Sequence, residues 1–106
     1  MIKYLENDFK KEIENKRILV DFYADWCGPC KMLGEVLKEV KDIEILKVNV
    51  DKFPALAQEY MVMSIPNIFI FENGKAVKNH VGFIGLDEIN EFIKWYLKKY
   101  HFFYII

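Results

Sequence analysis

The sequence predicts an α/β domain with a mixed central β-sheet, helices on both faces of the sheet and the element order βαβαβαββα. Three observations support this fold class. Ile18 to Tyr23 is a near-continuous apolar run of strand length, which suits a central strand covered on both faces. Segments with apolar residues at helical spacing alternate with the strand-like runs. Asn73-Gly74 separates two further strand-like runs and indicates a hairpin, because a type I′ turn needs positive φ at both central residues.

The first half of the chain alternates between strand-like and helix-like segments. A short strand from Ile2 to Leu5 leads into a charged helix near Asp8 to Glu14, and the Ile18 to Tyr23 strand follows. The next helix starts at Cys27 and has apolar residues at i, i+3, i+4 and i+7. These residues form one predicted buried stripe of Leu33, Val36, Leu37 and Val40.

The second half begins with a strand from Ile45 to Val50, which alternates around Lys47 and Asn49. A short helix follows, with Pro54 in its first turn, where the missing N–H removes no intrahelical hydrogen bond. The apolar residues of this helix are predicted to turn inward, and they are Leu56, Tyr60 and Met61.

The hairpin pairs Ile68 to Phe71 with Lys75 to Val81, so these two strands should be antiparallel. The last helix is predicted to begin after Gly85 and to run at least to Lys99, because its apolar spacing continues that far. The apolar tail over residues 100–106 is too short to span a bilayer. Packing back on the fold, an edge strand and a self-association patch all remain open for it.

Length and composition limit the classes of protein to which the chain can belong. Its 106 residues suit a single domain over residues 1–106 with one core. Fifteen basic and sixteen acidic side chains leave a net charge of −1, which gives no electrostatic footprint for nucleic acid or an anionic membrane. The N-terminal residues lack the apolar run of a signal peptide. We therefore expect a cytoplasmic protein, where a cysteine pair is more often catalytic than structural.

Both cysteines lie in one short motif, Trp26-Cys27-Gly28-Pro29-Cys30-Lys31, at the predicted start of a helix. Residues three apart share a helix face, so the two thiols can meet without rearrangement of the backbone. At the helix N-terminus, unpaired N–H groups and the positive end of the macrodipole favour a thiolate on the first cysteine. A redox dithiol is the leading hypothesis for this motif.

A zinc site, a structural disulfide and an inert cysteine pair are the three alternatives to a redox dithiol. A zinc half-site needs two further ligands, and His80 and His101 lack the paired spacing of zinc motifs. A structural disulfide that closes so short a loop constrains the unfolded chain very little. Two inert reduced cysteines would leave the Gly-Pro insert and the flanking Trp26 unexplained.

Asp21 interrupts the apolar strand between Val20 and Phe22. An ionised carboxylate is costly to bury alone, so Asp21 should either pair with a cation or hold a proton at a raised pKa. Either state suits a proton shuttle. The alternative is an aspartate that points to solvent from a covered strand.

The residues from Ile18 to Lys31 resemble the active-site segment of the thioredoxin family nearly residue for residue. The resemblance covers about residues 1 to 99 and implies the thioredoxin fold and the reduction of protein disulfides. Further family marks recur in order and at the expected spacing: Val48-Asn49-Val50-Asp51, Ser64-Ile65-Pro66-Asn67, Phe71 with Asn73-Gly74, and Val81-Gly82.

The resemblance implies roles for the residues around the dithiol. Cys27 would be the exposed nucleophile that attacks a substrate disulfide, and Cys30 the buried thiol that resolves the mixed disulfide. Asp21 would be the acid/base that deprotonates Cys30, with Lys47 of the adjacent strand as its charge partner. Gly-Pro between the cysteines is typical of reductants in the superfamily, whereas oxidases and isomerases usually have a histidine before the second cysteine.

The resemblance also implies a docking surface for an extended substrate. Pro66 would follow a cis peptide bond opposite the dithiol, leaving the backbone of Ile65 available to pair with substrate. A flat, uncharged surface would recognise backbone more than side chains, so substrate choice should be broad. Its residues would be Trp26, Gly28, Pro29, Ile65, Pro66, Val81 and Gly82.

The resemblance further implies that the chain needs no bound cofactor and no metal, since its own thiols would carry the electrons. It should act as a monomer that a thioredoxin reductase regenerates and that serves disulfide-containing client proteins. A disulfide oxidase or isomerase and a non-catalytic peptide-binding module are the alternatives. Three residues depart from the family pattern. Glu35 stands where a helix-kinking proline is usual, Tyr23 replaces a common tryptophan, and Met61 stands where glycine often ends a helix.

Overall fold

Five strands form a single sheet in the computed structural model, which describes residues 1–94. The strands are β1 (Ile2–Tyr4), β2 (Arg17–Tyr23), β3 (Glu44–Asn49), β4 (Asn67–Glu72) and β5 (Lys75–Val81). The helices are α1 (Phe9–Ile13), α2 (Gly28–Leu37), α3 (Pro54–Glu59) and α4, whose described part covers residues 86–94. The predicted elements are therefore present, and the ends that the structure describes differ from the predicted ends by at most three residues.

The sheet has the order β1-β3-β2-β4-β5, which places β2 at its centre. β3 pairs in parallel with both β1 and β2, whereas β4 is antiparallel to both β2 and β5. The mixed sheet and its central strand are thus confirmed. In the hairpin turn, Asn73 has φ 49° and Gly74 has φ 84°, the two positive values that the Asn-Gly pair predicted.

Alternate residues of β2 face two separate apolar cores, one on each side of the sheet. Leu19 belongs to the core under α2 and α4, together with Leu33, Leu37, Ile89 and Ile93. Val20 belongs to the core under α1 and α3, whose aromatic members are Phe9, Phe22, Phe69, Phe71 and the half-buried Tyr60. Asp21 and Tyr23 have the same parity as Leu19, so β2 directs them towards the face that α2 covers.

Helix α2 is shorter than its apolar stripe predicted. The last helical residue is Leu37, and the N–H groups of Glu39 and Val40 donate to carbonyls three residues back instead of four. Val40 is still buried in the same core, because this tight final turn keeps it on the inner side of the chain. The predicted buried stripe therefore includes Val40, although Val40 lies beyond the last helical residue.

The end of α3 differs from the prediction at Met61, whose side chain is 80% exposed. The predicted inward orientation of Met61 is wrong, whereas Leu56 and Tyr60 do pack against the core. Met61 has φ 53°, its N–H donates to the Gln58 carbonyl, and the Val62 N–H donates to the Ala57 carbonyl at 2.8 Å. These two bonds form a Schellman motif, and the left-handed backbone that it requires turns Met61 away from the core.

Helix α4 begins at residue 86, where the Ile89 N–H donates to the Gly85 carbonyl at 2.9 Å. Its predicted start after Gly85 is confirmed. The predicted extension to Lys99 and the apolar tail over residues 100–106 lie outside the described residues. Within residues 1–94, no helix is long and apolar enough to cross a membrane.

Candidate functional site

Cys27 and Cys30 form a disulfide at the start of α2, immediately beyond the carboxyl end of the central strand, with their Cα atoms 5.2 Å apart. Cys27 is the N-cap residue, and its Sγ accepts a hydrogen bond from the Cys30 N–H at 3.2 Å. The predicted helix start is therefore confirmed. Cys27 is only 5% exposed and Cys30 2% exposed. In this disulfide form Cys27 is therefore less exposed than the prediction of an exposed nucleophile implied.

Two loops bring further predicted site residues to the disulfide. The Ile65–Pro66 peptide bond is cis, and the Ile65 carbonyl oxygen lies 3.9 Å from Cys27 Sγ. The Gly82 N–H donates to the Pro66 carbonyl at 2.7 Å, which ties the end of β5 to this loop. Cys27, Ile65, Pro66 and Gly82 therefore lie together, although they are far apart in the sequence.

The surface beside the disulfide is largely apolar. Trp26 is 71% exposed and Val81 52% exposed, while Gly28 and Pro29 are also exposed and Ile65 is half-buried. None of these residues carries a charge, as the sequence predicted for a substrate-docking surface.

Asp51 is a site residue that sequence reasoning missed. The Trp26 indole Nε1 donates to Asp51 Oδ2 at 2.9 Å, and the Asp51 N–H donates to Asn49 Oδ1 at 2.8 Å. This chain of bonds holds the exposed indole against the loop after β3. The sequence motif from Val48 to Asp51 gives no signal of which side chain Asp51 binds.

Asp21 is completely buried, so the solvent-facing alternative is wrong. It pairs in register with Lys47 of β3, and Lys47 Nζ lies 3.4 Å from Asp21 Oδ2. Among the described residues, neither carboxylate oxygen has a hydrogen-bond partner of good geometry, so the contact is an ion pair. Burial raises the pKa of the Asp21 carboxyl to about 6, and the Lys47 charge opposes part of this rise.

A cleft of about 280 Å³ opens between α2 and the edge of the sheet. Cys30 and Lys47 both line it, and Lys47 also contacts Asp21, so Lys47 connects the cleft with the buried carboxyl behind it. The space is large enough for water molecules that carry protons. Its other walls include Tyr4, Tyr23, Asp25, Lys31, Gly34, Glu35 and Lys38.

No group of three or more His, Cys, Asp and Glu side chains among residues 1–94 is arranged to hold a metal ion. The groups nearest to the chemistry are the disulfide, the buried Asp21 carboxyl and the Lys47 ammonium.

Comparison with known proteins gives consistent matches along the chain. Residues 1–95 match the family model described as Thioredoxin. A thioredoxin of Staphylococcus epidermidis is 40% identical over 102 residues, covering 92% of this chain and 98% of that protein. A thioredoxin of Mycoplasmoides gallisepticum is 44% identical over 84 residues, covering 76% of this chain and 84% of that protein.

The fold matches solved structures of the same kind. A point mutant of the thioredoxin from Halobacterium salinarum superimposes with a TM-score of 0.79 at 35% identity, with 88% of each chain covered. Malassezia sympodialis thioredoxin gives the same TM-score at 29% identity, covering 88% of this chain and 90% of that one. The five-stranded mixed sheet with helices on both faces is thus the architecture of these proteins.

Proposed function

This chain belongs to the thioredoxin family and is a thiol–disulfide oxidoreductase. We propose that it reduces protein disulfides with Cys27 as nucleophile and Cys30 as resolving thiol. The observation that carries the assignment of the two roles is the position of Cys27 as N-cap of α2, where its sulfur accepts the Cys30 N–H. The same contact stabilises a Cys27 thiolate in the reduced protein.

The proposed reaction transfers two electrons from the dithiol to the substrate. The Cys27 thiolate attacks one sulfur of the substrate disulfide, forming a mixed disulfide and releasing the other substrate sulfur as a thiolate. Cys30 then loses its proton and attacks Cys27 Sγ, which closes the Cys27–Cys30 disulfide and releases the second substrate sulfur. The substrate becomes a dithiol, and this protein is left in the oxidised form described here.

Asp21 is proposed to accept the proton of Cys30 in the second step, with Lys47 as its charge partner. Two observations support this role: Lys47 joins Asp21 to the cleft that Cys30 lines, and the Asp21 pKa of about 6 lies near neutral pH. A base with such a pKa is ionised at pH 7 and still able to take up a proton.

The uncharged surface around the disulfide is proposed to bind an extended segment of the substrate. Ile65 and Pro66 would contact its backbone, while Trp26, Gly28, Pro29, Val81 and Gly82 form the flat surroundings. The Trp26–Asp51 bond supports this proposal because it holds a large apolar side chain in an exposed position.

Family membership implies disulfide-containing substrates and a reductase in general terms. We further propose that a thioredoxin reductase is the electron donor and that the protein works in the cytoplasm as a monomer. The chain is proposed to act as a single thioredoxin domain over residues 1–106, without a bound cofactor.

Trapping of the mixed disulfide tests the assignment of the two cysteines. Cys30→Ser should accumulate a mixed disulfide with a reducible protein such as insulin, because the attacking thiol remains and the resolving thiol is gone. Cys27→Ser should accumulate none. Non-reducing electrophoresis and mass spectrometry measure both outcomes, and equal trapping by the two variants would contradict the assignment.

Two further measurements separate the alternative functions. Equilibration with glutathione should place the reduction potential near the ~−270 mV of thioredoxin, because Pro29 offers the Cys27 thiolate no stabilising group. A value near the ~−180 mV of protein disulfide isomerase would favour an oxidase or isomerase. Cellular activity that survives in the double variant with both cysteines changed to serine would favour a peptide-binding module.

A further inference from the structure

Lys47 lies in the middle of a row of side chains that crosses the sheet. The strand register aligns Tyr4 of β1 with Lys47 of β3, and Lys47 with Asp21 of β2. Residues aligned across neighbouring strands point to the same face. Tyr4, Lys47 and Asp21 therefore lie side by side under α2.

Two aromatic rings surround the Lys47 ammonium. Its Nζ lies 4.7 Å from the centre of the Tyr23 ring and 5.8 Å from the centre of the Tyr4 ring. The two rings meet edge to face, with centres 6.1 Å apart and planes at 77°. Both distances are within the range of cation–π attraction, which strengthens where water is partly excluded.

Besides Asp21 and the two rings, Gly34 of α2 is the fourth neighbour of the Lys47 ammonium. A Cβ atom at residue 34 would lie 3.3 Å from Lys47 Nζ, closer than a comfortable van der Waals contact. Residue 34 lies four positions after Cys30 and so faces the cleft from the same side of α2. Glycine at this position leaves the ammonium the room that it occupies beside Asp21.

We propose that Tyr23 and Tyr4, with the room provided by Gly34, are positioning residues that hold the Lys47 ammonium against Asp21 and thereby set the pH range of the resolving step. The inference rests on the proposed function of Asp21. Cys30 remains the attacking thiol and Asp21 the proton acceptor; the two rings act only through Lys47.

A positioning device is needed because lysine is flexible and other anions lie nearby. Asp25 and Glu35 border the same cleft and are exposed, and Glu35 is bonded to Lys38 at 2.7 Å. An ammonium without the rings would be drawn towards these carboxylates and towards water. Lys31 and Lys38 of α2 are the other cations of the cleft, while β4 presents the uncharged Ile68 opposite Asp21.

The expected consequence follows from the charges at Asp21. Lys47 is the group that lowers the pKa of Asp21 against the effect of burial. If the ammonium moves away, the carboxylate loses its partner and the pKa of Asp21 rises further. Burial raises the pKa of Tyr23, so its phenol is neutral near pH 7 and acts through its ring.

A comparison of Tyr23→Leu with Tyr23→Phe tests the proposal. NMR titration of the Asp21 carboxyl in the oxidised protein gives the midpoint of its titration directly. Stopped-flow mixing of the reduced protein with an excess of disulfide substrate gives the rate of the resolving step as a function of pH. Tyr23→Phe keeps a ring and should leave the midpoint unchanged. Tyr23→Leu should raise the midpoint of the Asp21 titration, and the midpoint of the pH profile of resolution, by roughly 0.5 pH units or more. An unchanged NMR midpoint in a folded Tyr23→Leu protein would overturn the proposal.

Two further variants distinguish a loss of positioning from a general loss of stability. Gly34→Ala should move the titration midpoint of Asp21, because the added Cβ displaces Lys47 Nζ while both rings remain. This variant therefore tests the arrangement even if Tyr23→Leu does not fold. Tyr60→Leu removes a ring from the opposite core and should lower the melting temperature without moving the midpoint. An equal shift in Tyr60→Leu and Tyr23→Leu would refute positioning by Tyr23.

The two measurements also separate this inference from the proposed function. If the NMR midpoint rises in Tyr23→Leu and the resolution profile does not follow it, the rings hold Lys47 against Asp21 but do not set the pH range of the resolving step. In that case Asp21 is not the base for Cys30, and the proposed mechanism fails.

Discussion

At the scale of single residues, Asp21 determines how the site depends on pH. Its carboxyl is fully buried beside one ammonium, and neither oxygen makes a hydrogen bond of good geometry to the described residues. One ion pair does not replace the lost hydration, so burial dominates and raises the pKa of Asp21 from its ordinary 3.8 to about 6. The contribution of Asp21 to the free energy of unfolding therefore falls as the pH rises from about 4 to about 6.

The first prediction concerns the stability of Asp21→Asn in the oxidised protein. Between pH 4 and pH 6 the native state binds more protons at Asp21 than the unfolded state, so rising pH destabilises the wild type. Asparagine does not titrate. The free energy of unfolding of the variant, relative to the wild type, should increase by roughly 2 kcal/mol from pH 4 to pH 7.

Urea denaturation at a series of pH values measures this difference. Asp25→Asn is the matched control, because Asp25 is an exposed carboxylate near the same disulfide. Its difference from the wild type gives the effect of removing an exposed carboxylate, and the increase with pH should be larger for Asp21→Asn. A constant difference for Asp21→Asn would mean that Asp21 does not titrate in this range.

A second prediction at this scale concerns catalysis by Asp21. The carboxyl must be ionised to accept the Cys30 proton, so resolution by the wild type should slow as the pH falls below about 6. Asp21→Asn should resolve slowly at every pH near neutrality while its affinity for peptide is almost unchanged. Single-turnover mixing of the reduced protein with an excess of disulfide substrate measures the rate of the resolving step, and wild-type kinetics in the variant would show that Asp21 is structural.

At the scale of secondary-structure elements, the C-terminus of α3 is the place where local sequence and backbone geometry disagree. Met61 occupies the left-handed position of a Schellman motif, at φ 53°, where glycine is the common residue. For a side chain with a Cβ atom this conformation costs roughly 1 to 2 kcal/mol. The two hydrogen bonds of the motif retain the geometry in spite of this cost.

The third prediction follows from this strain. Met61→Gly should raise the free energy of unfolding by up to about 1 kcal/mol, since relief of strain exceeds the added entropy of the unfolded chain. For a domain of this size the melting temperature should rise by about 4 to 8 °C per kcal/mol. Met63→Gly is the matched control, because Met63 is 93% exposed and has no positive φ. The control should be neutral or destabilising, and an equal gain in both variants would exclude relief of strain.

The elements also show what a sequence pattern can and cannot predict. The strand through Ile18 to Tyr23, the Asn73-Gly74 turn and the start of α2 at Cys27 depend on local preferences, and the structure confirms them. Periodicity does not locate the last residue of a helix. Val40 stays buried beyond the end of α2, whereas Met61 at the end of α3 points outward because the cap reverses the backbone there.

At the scale of the whole molecule, the site combines parts that come from distant segments of the chain. Recognition of the motif predicted the dithiol, the Asp21–Lys47 pair and the cis bond before Pro66. It did not predict that Asp51 binds the Trp26 indole, nor that two tyrosine rings enclose the Lys47 ammonium. These contacts depend on strand register and loop position, which a single sequence does not specify.

The whole-molecule arrangement also separates the end of the described chain from the dithiol. The Arg17 guanidinium donates to the Ile93 carbonyl, so the last described turn of α4 lies beside the start of β2. The disulfide follows the other end of that strand. Seven residues of extended chain place these two ends about 20 Å apart.

The last prediction concerns deletion of residues 102–106, which lie outside the described part of the chain. Their side chains are apolar apart from the Tyr104 hydroxyl, and their exposure to water would cost about 25 cal/mol per Å² of apolar surface. We therefore expect these side chains to be buried, and their deletion should lower the melting temperature. Insulin reduction per folded molecule should be nearly unchanged, because the last described turn of α4 lies at the end of β2 that is opposite the dithiol. Sedimentation should find a monomer before and after the deletion. An unchanged melting temperature with loss of a dimer would assign the tail to self-association, and loss of activity in a folded truncated protein would contradict its separation from the chemistry.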